Sequence, residues 1–420
     1  MLGRDGGEVV DDFPSPADQS VGRLAEWIDL LPNDHETALA ARPDVMVLAA
    51  RYGDGHLRAA KAIGMDIVLQ NPKVKLAILD YYKFVNPRLD NTLRWLYMMS
   101  VRFVPAGWRW FYRSTQKISP DSRAQHYLNS IGMDHFYEAI RSDPPQVIIS
   151  TYPTAAGVVS TLKRKGCLDV LNYVVMTDYS VHSQWIHPGV DGYFVGGDDM
   201  RDELLARGVE ADRVVVSGIP VDERFRQPVD AAAVRHGLGI GEGPVLLFMG
   251  GSYMPLREYG NVLEAMDQVP HPHTTIVVAG REENRRALAE TYRRQAKHPM
   301  VVMGYVDNVH ELMAIANLLV SKAGGLTTTE ALCRGLPMVI YRPIPGQEDA
   351  NADYLVRHGA GRRAKSQQDV TDEIDRLLGD PWELWAMARE ARQLGHPDAA
   401  LVIAQAVGQA LDRRQTHAPA

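Results

Sequence analysis

In the sequence Asp44-Val-Met-Val-Leu-Ala-Ala50, the residues after Asp44 form a continuous apolar run, and the glycine-containing turn Arg51-Tyr-Gly-Asp-Gly-His56 follows it directly. An uninterrupted apolar run of this length is typical of a strand that is buried on both faces of a parallel sheet. A helical stretch begins at about Leu57. A buried strand, a glycine turn and a helix in this order predict an α/β fold.

The same order of strand, turn and helix returns in the second half of the chain. Val245-Leu-Leu-Phe-Met249 is a second apolar run, and Gly250-Gly251-Ser252 follows it. Apolar runs alternate with helical stretches in both halves, which predicts two α/β domains with parallel sheets. We expect strands at 44–50, 75–79, 146–150, 172–176, 192–195 and 214–217, and then at 245–249, 275–279, 301–303, 318–321 and 338–341.

These patterns also divide the chain. They indicate an acidic extension at 1–43, an N-terminal domain at 44–222 and a C-terminal domain at 243–400. A tail helix that reaches residue 412 is expected to pack back on the N-terminal domain. Ligands of parallel sheets bind at the carboxyl ends of the strands, so the cleft between the domains is the predicted active site.

Composition excludes several classes of function. The chain has 420 residues and a formal net charge of −7, and its two cysteines lie far apart. A basic surface for nucleic acid, a disulfide scaffold and a cysteine zinc site are therefore not expected, whereas a cytoplasmic protein is. The start of the chain has no secretory signal pattern, and prolines interrupt the long uncharged stretch at 144–162. We therefore expect no membrane span.

One segment of the N-terminal half is rich in aromatic and basic side chains. Residues 81–126 hold ten of the 32 aromatic residues and eight basic residues, against two aspartates. Aromatic rings suit the headgroup layer of a membrane, and basic side chains bind anionic lipids. Helices that pack on the N-terminal core with solvated arginines are the alternative, and both interpretations can hold together. The candidate membrane-docking residues are Arg94, Trp95, Arg102, Trp108, Trp110 and Arg113.

The first glycine turn places His56 at the predicted edge of the cleft and at a helix N-terminus. Glycines allow the backbone to turn tightly and to approach a ligand. A histidine in this place can take a proton from an attacking hydroxyl group. The alternative is that His56 only caps the turn. The residues of the turn by themselves favour that alternative, because the motif is neither GxGxxG nor a P-loop.

A second motif, Ser321-Lys-Ala-Gly-Gly-Leu-Thr-Thr-Thr-Glu330, follows an apolar strand and begins a helix. Glycines, hydroxyl groups and free helix N–H groups form an anion cradle, and Lys322 adds positive charge. Glu330 stands where a carboxylate can accept hydrogen bonds from sugar hydroxyl groups. A threonine run that caps the helix is the alternative. The position directly after a strand favours phosphate binding.

Two further motifs carry polar side chains. The first is Tyr341-Arg-Pro-Ile-Pro-Gly-Gln-Glu348, which together with Asn351 offers polar groups that can recognise hydroxyl groups. The motif alone is more simply explained as a stiff, proline-rich connector. The stretch 176–187 holds Asp178, His182 and His187, but their spacing matches no standard metal site. The chain also has no Asp-x-Asp triplet, so we expect no metal ion.

Taken in this order, the motifs resemble the diacylglycerol sugar transferases. That family includes bacterial processive diacylglycerol glucosyltransferases and plant-type monogalactosyldiacylglycerol synthases, and the resemblance runs from about residue 44 to residue 400. It is carried by YGDGH (52–56), VMTDYSVHSQWIHPGVDGYFV (175–195), SGIPVDERF (217–225), MGGS (249–252), VVAGRE (277–282), MGYVDNVHELM (303–313), KAGGLTTTEALCRGLP (322–337) and PIPGQEDANADYL (343–355).

The resemblance implies the GT-B fold, in which two Rossmann-like domains face each other across a cleft. It implies an inverting transferase that moves a hexose, with glucose preferred, from a UDP-sugar to diacylglycerol or a glycosyl-diacylglycerol. It implies no metal and no other cofactor. The expected location is peripheral, on the cytoplasmic face of the cell membrane, with an anionic membrane surface as partner and no nucleic acid.

The resemblance also implies roles for individual residues. His56 matches the general base, and Asp178 matches an acidic position on the acceptor side. Glu330 matches the carboxylate that holds the ribose, with Arg281, Tyr305 and Val306 at the uracil. The diphosphate is assigned to Gly251, Ser252, Gly324, Gly325, Thr327, Thr328 and Thr329, with help from Lys322, and the donor sugar to Gln347, Glu348 and Asn351.

Two other functions compete with this one. A soluble GT-B transferase with a small-molecule acceptor would share the donor site but would need no lipid surface. A GT-B-shaped UDP-sugar epimerase or sensor would release no net UDP. Vesicle binding distinguishes the soluble transferase from the lipid enzyme. UDP release distinguishes the epimerase or sensor from both transferases.

Overall fold

The computed structural model describes residues 42–51, 55–86, 99, 105–116, 122, 125, 127, 129–251 and 254–416. These residues form two six-stranded sheets in which every neighbouring pair of strands is parallel. The α/β class predicted from the sequence is confirmed, and the two Rossmann-like sheets of a GT-B arrangement are present.

The first sheet has the strand order β2-β1-β3-β4-β5-β6. Val45, Val47 and Ala49 face one apolar cluster, whereas Met46 and Leu48 face another. This strand is therefore buried on both faces, which explains its continuous apolar run. The strands are β1 (Val45–Ala49), β2 (Leu76–Asp80), β3 (Val147–Ser150), β4 (Leu171–Val175), β5 (Gly192–Val195) and β6 (Val214–Val216).

The second sheet has the order β12-β11-β10-β7-β8-β9. One of its strands, Gly361–Ala364, was not predicted from the sequence. It lies at the edge of the sheet, where Arg362 pairs with Glu383 over 2.7 Å. The strands are β7 (Val245–Met249), β8 (Thr274–Val278), β9 (Met300–Met303), β10 (Leu318–Ser321), β11 (Met338–Tyr341) and β12 (Gly361–Ala364).

Helices connect the strands of both sheets. None of those within the described residues is long and apolar enough to cross a membrane. The helices of the first half are α1 (Gly55–Gln70), α2 (Tyr81–Val85), α3 (Pro105–Thr115), α4 (Met133–Ile140), α5 (Pro153–Arg164) and α6 (Asp198–Ala206). Those that follow are α7 (Ala231–Gly237), α8 (Leu256–Asp267), α9 (Glu283–Arg293), α10 (Val309–Ile315), α11 (Gly325–Cys333), α12 (Gln347–Arg357), α13 (Gln367–Gly379), α14 (Pro381–Leu394) and α15 (Ala399–Thr416).

The last helix, α15, returns to the first sheet and packs along α1. Ile403, Ala404, Val407 and Leu411 are buried there in one apolar cluster with β1 and α1. Arg414 extends the contact by donating to the carboxylate of Asp169 over 2.8 Å. The N-terminal core is therefore built from two separate parts of the chain.

Candidate active site between the two sheets

Loops at the carboxyl ends of strands from both sheets enclose a cavity of about 450 Å³. The first sheet contributes the residues after β1 and β4, and the second sheet those after β7 to β11. The predicted site residues that line it are His56, Asp178, Gly251, Arg281, Tyr305, Val306, Lys322, Gly324, Gly325, Thr327, Glu330, Gln347 and Glu348. Ser252 lies outside the described residues.

His56 stands in the first turn of α1, with its ring held by backbone. Its Nδ1 lies 2.7 Å from the carbonyl oxygen of Thr151 and 2.9 Å from the hydroxyl of Thr177. A ring that donates Nδ1–H to this carbonyl keeps its lone pair on Nε2. Burial lowers the pKa of His56, and the carboxylate of Asp178 opposes that shift. The ring is therefore a neutral base at neutral pH.

Asp178 follows β4 on the same wall of the cavity. Burial raises the pKa of its carboxyl group, while His56 and a hydrogen bond from Asn351 act in the opposite direction. That hydrogen bond, from Nδ2 of Asn351 to Oδ1 of Asp178, is 3.3 Å long. Asp178 thus accepts a hydrogen bond from an amide group in the C-terminal half of the chain.

The position of Asn351 differs from the prediction that it faces the donor sugar. Its side chain is fully buried and does not belong to the cavity lining. Its amide donates to the carbonyl of Ala323 over 3.1 Å, and its oxygen accepts from the N–H of Tyr179 over 2.8 Å. Asn351 therefore joins the two halves of the chain behind the cavity wall.

Helix α11 begins at the anion cradle. The N–H groups of its first turn have no partner within the helix, and the helix dipole adds partial positive charge there. Of the three threonines predicted at the diphosphate, only Thr327 lines the cavity. Thr328 and Thr329 are buried, and the hydroxyl of Thr329 donates to the carbonyl of Gly325 over 2.8 Å. They belong to the core because helical periodicity turns them away from the loop.

Gly325 brings α11 against the opposite sheet. A Cβ at this position would stand 2.3 Å from the carbonyl oxygen of Thr177 and 2.9 Å from Oδ1 of Asp178. Both distances are shorter than a carbon–oxygen contact allows. The residue must therefore be glycine for the two cavity walls to approach this closely.

Lys322 and Glu348 form an ion pair at the cavity wall. The Nζ of Lys322 lies 3.3 Å from Oε1 of Glu348, and both side chains are largely buried. The other oxygen of Glu348 accepts from the N–H of Ile344 over 2.6 Å. Burial raises the pKa of Glu348, and Lys322 opposes that shift. The pair holds the predicted donor-sugar loop against the anion cradle.

The predicted nucleoside residues lie together at one end of the cavity. The guanidinium of Arg281 stacks on the ring of Tyr305, 3.7 Å from the ring centroid. Glu330 is buried, and burial raises its pKa to about 7. One residue beside them, Arg58, was missed by the sequence analysis. No sequence pattern indicated it, because the groups that it contacts, Tyr305 and Glu330, lie in the other half of the chain.

His182 and His187 are core histidines. Burial lowers the pKa of each to about 4. Nε2 of His182 lies 3.2 Å from the hydroxyl of Thr115, and Nε2 of His187 lies 3.3 Å from the carbonyl oxygen of Pro153. Across the described part of the chain, no group of three metal-ligating side chains is found.

The aromatic and basic segment is described only in part. Arg94, Trp95 and Arg102 lie outside the described residues, while Trp108, Trp110 and Arg113 lie on α3. Trp110 is 71% exposed. Tyr112 of the same helix is buried. Its ring packs so closely on Gly346 that a Cβ at Gly346 would stand 2.8 Å from the nearest ring carbon. The helix thus shows an aromatic ring to solvent and packs another against the donor-sugar loop.

Family models match both halves of the chain. Residues 56–221 match the monogalactosyldiacylglycerol (MGDG) synthase family, and residues 231–394 match the glycosyl transferases of group 1. Among curated proteins, the chain is 28% identical to a processive diacylglycerol beta-glucosyltransferase of Bacillus cereus over 366 residues, which are 87% of this chain and 93% of that enzyme. A Bacillus cytotoxicus protein of the same name is 26% identical over 378 residues, which are 90% and 96% of the two chains.

Solved structures share the fold. Acinetobacter baumannii MurG superposes with a TM-score of 0.59 at 16% identity, over 87% of this chain and all of that one. A putative UDP-N-acetylglucosamine 2-epimerase from Listeria monocytogenes gives a TM-score of 0.59 at 15% identity, over 88% and 96% of the two chains. At these identities the likeness concerns the fold alone, which transferases and epimerases share.

Proposed function

We propose that this chain transfers glucose from UDP-glucose to diacylglycerol with inversion at the anomeric carbon, as its matches to the MGDG synthase and group 1 glycosyl transferase families support. One observation carries the proposal. A neutral histidine from the first sheet and an anion cradle from the second line the same cavity. The names of the relatives support glucose as the donor sugar and diacylglycerol as the acceptor.

The proposed reaction is a single in-line displacement. The acceptor hydroxyl attacks the anomeric carbon, the bond from that carbon to the UDP oxygen breaks, and UDP leaves from the opposite face. Nε2 of His56 takes the hydroxyl proton. An α-linked donor therefore gives a β-glycoside, and no covalent enzyme intermediate forms.

The leaving group needs stabilisation of its negative charge. The N–H groups at the start of α11 and the nearby ammonium of Lys322 supply preorganised positive potential there. We propose that this cradle does the work that a divalent ion does in other sugar transferases. Chelation of divalent ions is accordingly expected to leave turnover unchanged.

The function is tested by UDP release from a panel of UDP-sugars, with and without diacylglycerol in anionic vesicles. We expect UDP-glucose to be consumed only when diacylglycerol is present, with lipid products heavier by one or more hexose units in the mass spectrum. Binding of UDP-sugar without transfer to diacylglycerol would contradict the lipid acceptor and redirect the search to small soluble acceptors. UDP-sugar interconversion without UDP release would identify an epimerase.

We also propose that α3 docks the enzyme on an anionic membrane. An exposed tryptophan on this surface can bury its ring in the headgroup layer. Trp110→Ala is expected to weaken sedimentation with phosphatidylglycerol vesicles by about fivefold to tenfold. The control is Trp382→Ala on α14, since Trp382 is 81% exposed and lies in the other half of the chain. Equal losses for both variants, or binding that ignores lipid charge, would refute the proposal.

A further inference from the structure

Arg58 reaches from the N-terminal half of the chain to the nucleoside end of the cavity. It lies on α1, and its side chain is 42% exposed. One guanidinium nitrogen lies 3.9 Å from Oε1 of Glu330, and another donates to the hydroxyl of Tyr305 over 3.5 Å. A single side chain thus contacts two residues of the opposite wall, more than 240 positions away in the sequence.

The two partners of Arg58 are the polar groups at the end of the cavity where the donor nucleoside is expected. The guanidinium of Arg281 stacks on the ring of Tyr305, and the hydroxyl of Tyr305 accepts a hydrogen bond from Arg58. Glu330 is buried on α11, and its carboxylate faces the cavity. The planar guanidinium can hold both groups at once, because its donors form a rigid fork.

We propose that Arg58 is a positioning residue for the donor nucleoside, so that the UDP site is completed by a cation from the acceptor-side domain. Arg58 orients the carboxylate of Glu330 towards the ribose hydroxyl groups and the ring of Tyr305 towards the base. The inference rests on the proposed function only in taking UDP as the bound nucleotide. It does not depend on the acceptor.

Charge gives this contact a second consequence. Burial raises the pKa of Glu330 to about 7, and the cation of Arg58 opposes that shift. The other charged or titratable groups that act on Glu330 are Asp222, which raises its pKa, Arg224, which lowers it, and the neighbouring Cys333. Only the ionised carboxylate is purely an acceptor and can receive two hydroxyl hydrogen bonds. Without Arg58, the pKa rises further, and UDP affinity is lost at neutral pH and regained at higher pH.

The test is calorimetric titration of the full chain with UDP alone, from pH 6 to pH 9. Arg58→Gln is expected to weaken UDP binding about tenfold at pH 7 and to move the midpoint of its pH dependence upward. Arg58→Lys keeps the charge and is expected to retain the midpoint of the wild type. Ionisation of the UDP phosphate is common to all variants. The difference between their curves of UDP affinity against pH therefore reflects ionisation of groups on the protein.

Two controls make the result specific. Lys73→Gln removes an exposed cation just beyond the end of the same helix and should change neither affinity nor midpoint. In a Glu330→Gln background, Arg58→Gln should add little further loss, since the two residues act together. Wild-type affinity and midpoint in Arg58→Gln would overturn the proposal. Equal effects of Arg58→Gln and Lys73→Gln would also overturn it. A failed lipid assay with this UDP result intact would contradict only the acceptor.

Discussion

Replacing His56 with alanine is expected to lower kcat by about 10²- to 10⁴-fold, the range of a lost general base. The hydrogen bond from Nδ1 to the carbonyl of Thr151 keeps the lone pair on Nε2, and alanine offers no proton acceptor in its place. UDP affinity should change by less than about twofold, because the nucleotide loops lie on the opposite wall. Steady-state kinetics and UDP titration measure the two quantities separately.

The pH profile adds an independent readout. Burial places the pKa of His56 below its ordinary value of about 6.5, so wild-type kcat should stay constant from pH 8 to near that value and fall only in more acidic buffer. The small residual kcat of His56→Ala should not show this fall in acidic buffer. His236→Ala is the matched control, since His236 is an exposed histidine on α7. A nearly normal kcat in His56→Ala would refute the base assignment.

Gly325→Ala is expected to lower kcat/KM by at least about 10²-fold, although alanine is the better helix former. The new Cβ would stand 2.3 Å from the backbone oxygen of Thr177, so α11 must retreat by about 1 Å. Misplacement of this size between reacting groups costs about 10²-fold in rate. The same retreat would separate the anion cradle from His56 and Asp178.

The control for this variant is Gly408→Ala on α15. A Cβ there meets no atom within 4 Å, so the substitution should leave kcat/KM unchanged and raise thermal stability slightly. Far-ultraviolet circular dichroism should be the same for both variants, because each sheet keeps its own core. Wild-type kcat/KM in Gly325→Ala would show that the close approach of the two walls is not needed for catalysis.

The fold could be predicted from the sequence wherever burial demands apolar residues. Val245–Met249 lies in the interior of its sheet, and the sequence there is apolar throughout. Gly361–Ala364 escaped prediction because an edge strand needs no such run. Its Arg362 and Arg363 make ion pairs with Glu383, Asp349 and Asp353 instead. Backbone pairing with β11 defines this strand, and its side chains form no pattern that predicts a strand.

The candidate site was predictable as a set of loops and less so as individual contacts. Motifs that follow strands meet at one edge of a sheet, so the glycine turns could be placed in the cleft. Which side chain points into the cavity depends on contacts between distant segments. Asn351 and Thr329 are polar and lie in the right motifs, yet both are used to hold buried structure together. Arg58 could not be found because its partners lie on the other sheet.

The return of α15 to the first sheet has a consequence for how the chain acquires its structure during synthesis. Ile403 and Val407 complete the apolar cluster of β1 and α1, but they leave the ribosome after every strand of both sheets. The N-terminal domain can therefore complete its core only after the C-terminal domain has been synthesised. Until the last helix is translated, the face of α1 that packs against α15 lacks its partner helix.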